Sequence, residues 1–226
     1  MHDLKVKSIV HDYEVKFIED SSSVLDNEIK DGDVIIMDQK IKDLYPMLTA
    51  AIPDNNVLID IDAHENQKSY EALIPIINKL IESGFRKNNR LIGIGGGITQ
   101  DITAFTASIM YRGVNWIFFP TTLLAQGDSC IGSKTSINFG AFKNQVGGFY
   151  PPNKIYLDLD FLNTLTHADQ QSGLGEKGIK EITETIPQQR LATVEEIAKT
   201  VVYLASDHNT YIAGQNIIVD GGFTSA

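Results

Sequence analysis

Four short apolar runs separated by amphipathic stretches constrain this chain most. The runs are Val34–Asp38 (VIIMD), Val57–Ile61 (VLIDI), Leu91–Ile94 and Val114–Phe119 (VNWIFF), each of a length and β-branched content that suits a buried strand. Between them, Gln39–Ala50 reads as a helix weakened by Pro46. Tyr70–Glu82 places Leu73, Ile77, Leu80 and Ile81 at helical spacing and is closed by Gly84. Thr99–Tyr111 reads as a helix with Ile102, Phe105 and Ile109 on its inner stripe and Gly113 just beyond it. Strand–helix alternation of this kind predicts an α/β fold, a Rossmann-like parallel sheet with flanking helices.

The ends of the chain are less regular. The first ~20 residues carry VKSIV and YEVKFIE and predict a hairpin or edge strands. Ile155–Asp158 reads as a strand and Asp160–Leu165 as a short helical turn. Residues 121–153 are rich in Gly, Ser, Thr and Asn and lack a period; a loop of that length in a compact domain is usually functional. In the tail, Thr193 with Glu196 forms a capping-box pattern, Ile197, Val201 and Leu204 form a stripe, and residues 216–219 (NIIV) read as a strand. The fold expectation therefore ends in a C-terminal helix–strand tail.

Charge and composition remove several function classes. A formal net charge of −10 and a pI near 4.9 argue against a nucleic-acid partner. No apolar run approaches the ~18 residues of a membrane span, and the N-terminal residues MHDLKVKSIVHDY lack the apolar core of a signal peptide. A single cysteine, Cys130, excludes an internal disulfide and suits a reducing cytoplasm.

The residues that carry chemistry crowd into 95–144. Gly95-Gly96-Gly97 follows one expected strand and opens one expected helix, where backbone N–H groups can approach a pyrophosphate. A triple glycine alone is as much a tight turn as a nucleotide site, and GxGxxG from Gly93 would need glycine at Ile98. Asp101 would equally serve as an acid complementing the helix dipole. Lys134 and Lys143 lie within ten residues of one another beside a glycine-containing loop. A single lysine there is usually a solvated charge, but such a pair suits an anionic ligand.

The order of these motifs resembles the 3-dehydroquinate synthase family of NAD-dependent sugar-phosphate cyclases. The resemblance rests on GGGITQD, Arg112-Gly113, PTTLLAQ at 120–126, Asp128 to Lys134, Lys143-Asn144, Gly148 to Pro151 and Asp158 to Leu165, with weaker similarity back to Glu65 and Lys68. It covers residues ~1–176 and implies NAD contacts at Glu65, Lys68, Gly96, Gly97, Asp101, Thr121, Thr122, Lys134, Lys143, Phe161, Leu162 and Thr164. It implies that Asp128, Lys134 and Asn144 hold or activate a small-molecule sugar phosphate. It gives Arg112 a phosphate contact, which in the family can be made across a dimer interface, so a homodimer is among the expected states. Two positions depart from the family pattern: Cys130, where serine is commoner, and Ser133, where glycine is commoner.

The resemblance further implies a phosphate-eliminating carbon–oxygen lyase of aromatic amino acid biosynthesis, in which hydride is removed to NAD and returned within each turnover. The family uses a divalent metal, zinc or cobalt, held by one Glu and two His; Glu176 matches the Glu. The family's two His belong to a C-terminal helical domain that this sequence does not show, and His208 in ASDHNTY reads as a turn. Weak metal binding and negligible turnover are therefore expected. From about 186 onward the chain instead resembles the C-terminal end of a short-chain dehydrogenase/reductase. The expected organisation is a cyclase-like NAD-binding domain over 1–176 and a reductase-like segment over 177–226. Three functions stay open: a cyclase, a non-catalytic NAD- or phosphate-binding fusion (a chimera), and a dehydrogenase, which only the tail supports.

Overall fold

The computed structural model describes residues 3–140, 142–165, 183, 186–206, 208–212 and 217–222. The chain divides into two compact units, residues 1–170 and 171–226. Glu176 and most of 177–186 lie outside the described residues.

The first unit contains nine strands among the described residues. They are β1 (Leu4–Val6), β2 (Tyr13–Ile18), β3 (Val34–Asp38), β4 (Val57–Ile61), β5 (Leu91–Gly95), β6 (Trp116–Pro120), β7 (Lys134–Phe139), β8 (Phe142–Phe149) and β9 (Lys154–Asp158). Seven of them form one sheet in the order β1-β2-β9-β6-β5-β3-β4. Every neighbouring pair in it is parallel except the β1–β2 hairpin. The α/β expectation therefore stands, with the N-terminal hairpin supplying one edge. Strands β7 and β8 pair as a separate antiparallel ribbon. Helices α1 (Ser21–Glu28), α2 (Gln39–Leu44), α3 (Pro46–Ala50), α4 (Tyr70–Glu82), α5 (Gly97–Ile109) and α6 (Leu123–Gly127) connect the strands.

The central strands are buried on both faces, which is why their sequences are continuously apolar rather than alternating. Successive side chains still sort by the two-residue period of a strand. Val34, Ile36, Leu91, Trp116 and Phe118 enter the core shared with α4 and α5. Ile35, Met37, Ile92, Ile94, Ile117 and Phe119 enter the opposite core, with Leu25, Ile41 and Leu48 of α1, α2 and α3.

The structure changes several local expectations. Pro46 splits the expected 39–50 helix at Tyr45, because it has no N–H to continue the ladder and opens α3 instead. In α4 the buried stripe is Leu73, Ile76 and Leu80, and Ile81 is exposed. In α5, Ile109 is exposed, and the helix starts at Gly97, two residues before the expected Thr99. The expected loop over 121–153 contains α6 and the whole β7–β8 ribbon. Helix α1 had no clear apolar period; Asp20 caps it by accepting from Ser22 and Ser23 N–H at 2.9 and 3.2 Å.

In the second unit, α7 (Val194–Ala205) forms with the expected capping box, Glu196 Oε2 accepting from Thr193 N at 2.8 Å. Arg190 braces the same carboxylate at 2.7 and 2.8 Å. Val201 of the expected stripe is exposed. Residues 217–219 form no ladder, so the expected closing strand is absent there: a strand is made by its neighbour, and these residues have none among the described residues. Among the described residues, no helix is long and apolar enough to cross a membrane.

The amino ends of β3, β5 and β9 are tied by charge. Asp33 accepts from Arg90 N at 2.9 Å and from Arg90 Nε and Nη2 at 3.0 and 2.6 Å. Glu28 accepts from Arg90 Nη1 at 3.3 Å, Lys154 Nζ at 2.5 Å and Tyr156 Oη at 2.6 Å. Burial works to raise the Glu28 carboxyl, but the hydrogen bonds and charges of Lys154, Tyr156 and Arg90 outweigh it and hold it below its ordinary value. Its contribution to stability is thus complete above the ordinary glutamate range and fades as pH falls through the lower folded value. Removing Arg90 would strand the buried Asp33 without its counter-charge. We expect Arg90→Ala to lose ~3–5 kcal/mol of stability in urea unfolding; a loss below ~1 kcal/mol would show that water replaces the guanidinium.

Candidate functional site

The glycine turn lies where β5 passes into α5, at the carboxyl ends of the parallel strands. From β3 the chain moves outward to β4, then returns across β3 to β5, so the strand order reverses between β3 and β5. Such a reversal opens a crevice where α/β proteins take ligands. The glycines there have different tasks. A Cβ on Gly93 would meet Thr103 Oγ1 at 2.9 Å, on Gly95 Thr99 Oγ1 at 2.3 Å, and on Gly96 Thr122 Cγ2 at 2.8 Å. Gly93 and Gly95 permit close packing of α5 on β5, and Gly96 permits close approach of the Thr122 turn that follows β6. A Cβ on Gly97 would meet only Ser129 Oγ, at 3.9 Å. Gly96 caps α5 without a side-chain hydrogen bond. The first N–H groups of this helix thus begin at a residue with open space beside it, and both their orphan donors and the helix dipole favour an anion there.

Beside this turn the ribbon β7–β8 gathers residues far apart in sequence. Lys68 Nζ pairs with Asp101 Oδ2 at 2.5 Å and donates to Asn144 Oδ1 at 2.5 Å. Its side chain is only 8% exposed, so this charge is used internally rather than solvated. Burial pushes the Asp101 carboxyl above its ordinary range, against the pull of Lys68. Ser136 Oγ donates to Asn144 Oδ1 at 3.3 Å. Glu65 Oε1 accepts from Asn138 Nδ2 at 2.8 Å and stands 4.0 Å from Lys143 Nζ. The Lys143 side chain is otherwise exposed, so it can turn toward a ligand.

Thr121 and Thr122 follow β6. Thr121 N donates to Gly95 O at 2.9 Å, and the buried Thr121 Oγ1 has no hydrogen-bond partner among the described residues. Thr122 caps α6 through Ala125 N at 3.3 Å. Phe161, Leu162 and Thr164 lie on one short turn, Leu159–Thr164. Tyr45 holds that turn, packing edge-on to Phe161 at 5.0 Å and bonding to Thr164 Oγ1 at 2.6 Å. Asp128 and Lys134 are exposed on either side of the 129–131 turn.

Arg112 is not brought to this cluster within one chain. It lies past the far end of α5, whose 13 residues span ~20 Å at about 1.5 Å per residue. Tyr111, Arg112 and Gly113 all have positive φ, 49°, 62° and 102°. Lys87 steadies the turn through the carbonyls of Tyr111 and Gly113. Glu176 lies outside the described residues, and among those described no three His, Cys, Asp or Glu side chains are placed to hold a metal ion.

Several residues escaped the sequence reading. Gln126 Nε2 bridges Pro120 O and Asp158 O at 3.0 and 2.7 Å, clamping β6 to β9 past their last ladder pair, Phe118↔Ile155. Gln100 and Ser129 exchange hydrogen bonds beneath the turn. Asp38 ends β3 beside the crevice, its carboxyl pushed up by burial. Asn138 links Glu65 to Asn144. Gln100, Gln126 and Ser129 were inside a quoted motif; Asp38 and Asn138 carry no local signal. Ser133, where glycine was expected, has φ 55°, so the backbone there does require the left-handed region.

Residues 58–172 match the family model 3-dehydroquinate synthase N-terminal, and residues 161–224 match a model described as Enoyl-(Acyl carrier protein) reductase. The 3-dehydroquinate synthase of Streptococcus equi subsp. equi (strain 4047) is 36% identical over 179 residues, covering 76% of this chain and 50% of that protein. The 2-epi-5-epi-valiolone synthase of Streptomyces hygroscopicus subsp. jinggangensis 5008, solved with NAD+ and Zn2+ bound, superposes with a TM-score of 0.67 at 26% identity, over 89% of this chain and 54% of that one. A 2-deoxy-scyllo-inosose synthase complexed with carbaglucose-6-phosphate, NAD+ and Co2+ shares the fold, with a TM-score of 0.66 at 21% identity over 82% of this chain and 51% of that one. The chain spans about half the length of the curated relatives it matches.

The sole thiol also sits within this region and is buried. Burial pushes Cys130 up to about 12, and its Sγ lies 3.6 Å from Gln126 O. We expect it to resist a disulfide reagent at pH ~8 until the chain unfolds, since the thiolate is the nucleophile. Full labelling of the native protein within minutes would contradict this placement.

Proposed function

The chain belongs to the 3-dehydroquinate synthase family, and on that premise we propose that it binds NAD and a sugar phosphate in the manner of a sugar-phosphate cyclase. One observation carries the reading: the side-chain-free start of α5 has open space at Gly97, with the buried Lys68–Asp101 pair beside it. Gly96 and Gly97 would receive the pyrophosphate on their N–H groups. Asp38, at the end of β3, is placed to accept from a ribose hydroxyl. Thr121, Thr122, Lys143 and the Phe161–Thr164 turn would line the rest of the cofactor, with Glu65, Lys68 and Asp101 fixing its edge. When bound, NAD supplies the hydride acceptor for reversible oxidation of one substrate hydroxyl.

Lys134 and Asn144 would hold the sugar phosphate, the ammonium facing phosphate oxygens and the amide facing a hydroxyl. Asp128 is the exposed carboxylate available to accept a substrate hydroxyl proton. Arg112, at the far end of α5, would reach phosphate only in a neighbouring copy, which supports a homodimer as the working form. The reaction class in this reading is phosphate elimination from a seven-carbon sugar phosphate, a carbon–oxygen lyase step in a reducing cytoplasm. Glu176 is the residue this reading assigns to a zinc or cobalt ion.

A second reading has its own observation. The two family matches meet at residues 161–172, which favours a fusion that binds NAD and phosphate without turnover. Phosphate release from 3-deoxy-arabino-heptulosonate 7-phosphate with NAD and zinc separates the two. Repeated turnover abolished in Lys134→Ala supports the cyclase, and binding without release supports the fusion.

The cofactor reading is tested by calorimetry with NAD+. Gly97→Val adds side-chain bulk where the fold has space, so its unfolding midpoint should stay near that of the wild type while its NAD+ affinity falls by at least about tenfold, ~1.4 kcal/mol. Equal heats from both proteins would sink the assignment of Gly97.

A further inference from the structure

We propose that Asn138 is the positioning residue of this site: its side-chain amide joins Glu65 to Asn144, and its main-chain N–H holds Lys68 beside them. Asn138 sits at the register shift of the β7–β8 ribbon, between the pairs Ile137↔Val146 and Phe139↔Phe142. A bulge of this kind leaves residues unpaired and re-aims their side chains. Released from the ladder, the Asn138 main chain turns to the segment that precedes α4, forming a bridge with Ser69 and donating N–H to Lys68 O at 2.7 Å. Its Nδ2 donates to Glu65 Oε1 at 2.8 Å and Glu65 O at 3.3 Å. Its Oδ1 accepts from Asn144 N at 2.9 Å. Asn144 takes left-handed backbone, φ 56°, a conformation held by that bond from its N–H.

The amide is matched at both ends. Its oxygen must face the Asn144 N–H, so its nitrogen must face the Glu65 carboxylate. Neither an apolar residue nor an ionised acid can do both. Asn138 is also buried, so a lost partner there is not readily replaced by solvent. The consequence is that Lys68, paired with Asp101 and bonded to Asn144, is held from both its main chain and its head group by residues that Asn138 sets.

This inference rests on the reading of Glu65, Lys68 and Asn144 as ligand contacts, and its test has a ligand-free arm. In hydrogen exchange without NAD, Asn138→Ala should speed exchange of the Asn144 amide on the order of tenfold, the effect of one lost hydrogen bond. Asn138→Asp keeps that acceptor and should leave the amide protected. The same variant sets a carboxylate against Glu65, with Lys143 at the rim and Lys68 and Asp101 behind. The two acids share a proton at low pH and repel once both ionise. NAD+ affinity of Asn138→Asp should therefore approach the wild type near pH ~5 and fall by pH ~8, whereas wild-type affinity changes less over that range. In the Glu65→Gln background, which restores a donor opposite the introduced carboxylate, adding Asn138→Asp should cost little further affinity between pH ~5 and ~8, measured against Glu65→Gln alone. Unchanged Asn144 exchange in Asn138→Ala, or a pH-dependent loss from Asn138→Asp that persists in the Glu65→Gln background, overturns the proposal. No NAD+ heat in the wild type would sink the cofactor reading instead, leaving the exchange arm to decide Asn138.

Discussion

Everything at the carboxyl end of the sheet depends on how closely α5 lies on β5. That approach is set by missing atoms: any side chain at Gly93 or Gly95 would collide with Thr103 or Thr99. Thr99 and Thr103 are themselves buried, and Thr103 Oγ1 donates to Thr99 O at 2.7 Å. The same packing leaves Gly97 as the one glycine of the triplet with space beside it. One contact layer thus serves both the core and the crevice.

The two ends of the sheet are specialised differently. At the amino ends, Arg90, Lys154, Asp33 and Glu28 neutralise one another in a closed set with little left to offer a ligand. At the carboxyl ends, hydrogen bonds join polar groups from separate elements, and among the described residues Thr99 Oγ1 and Thr121 Oγ1 have no partner. Buried hydroxyls without partners carry an energetic cost. The contrast sets a closed set of charges at one end of the sheet against an open set of polar groups at the other.

The sequence was most legible where burial on both faces made a strand apolar throughout. Residues 34–38 and 57–61 and the helix 70–82 have the boundaries that pattern and Gly84 suggest. It was least legible over β7 and β8. Strand β8 is exposed along most of its length and has no apolar period, so its existence comes from pairing with β7 and from Ile137 and Thr135 packing inward. The stripe errors at Ile81 and Ile109 have a related cause: periodicity gives the spacing of a helix face but not how far the core extends along it. In the site, the glycines and charged residues were visible as motifs. Their wiring was not, because Asn138 acts through a register shift that no local pattern encodes.

Helix α5 carries the glycine turn at one end and Arg112 past the other, so its length is a counted quantity. Each residue added to or removed from an α-helix rotates everything beyond it by about 100° and shifts it ~1.5 Å. A one-residue insertion on the outer face of α5 would leave Gly95, Gly96 and Gly97 undisturbed while swinging the Tyr111–Gly113 turn away from the Lys87 ammonium that steadies it. Lineages descended from this fold should accordingly tolerate changes in the identity of exposed α5 residues far better than changes in their number.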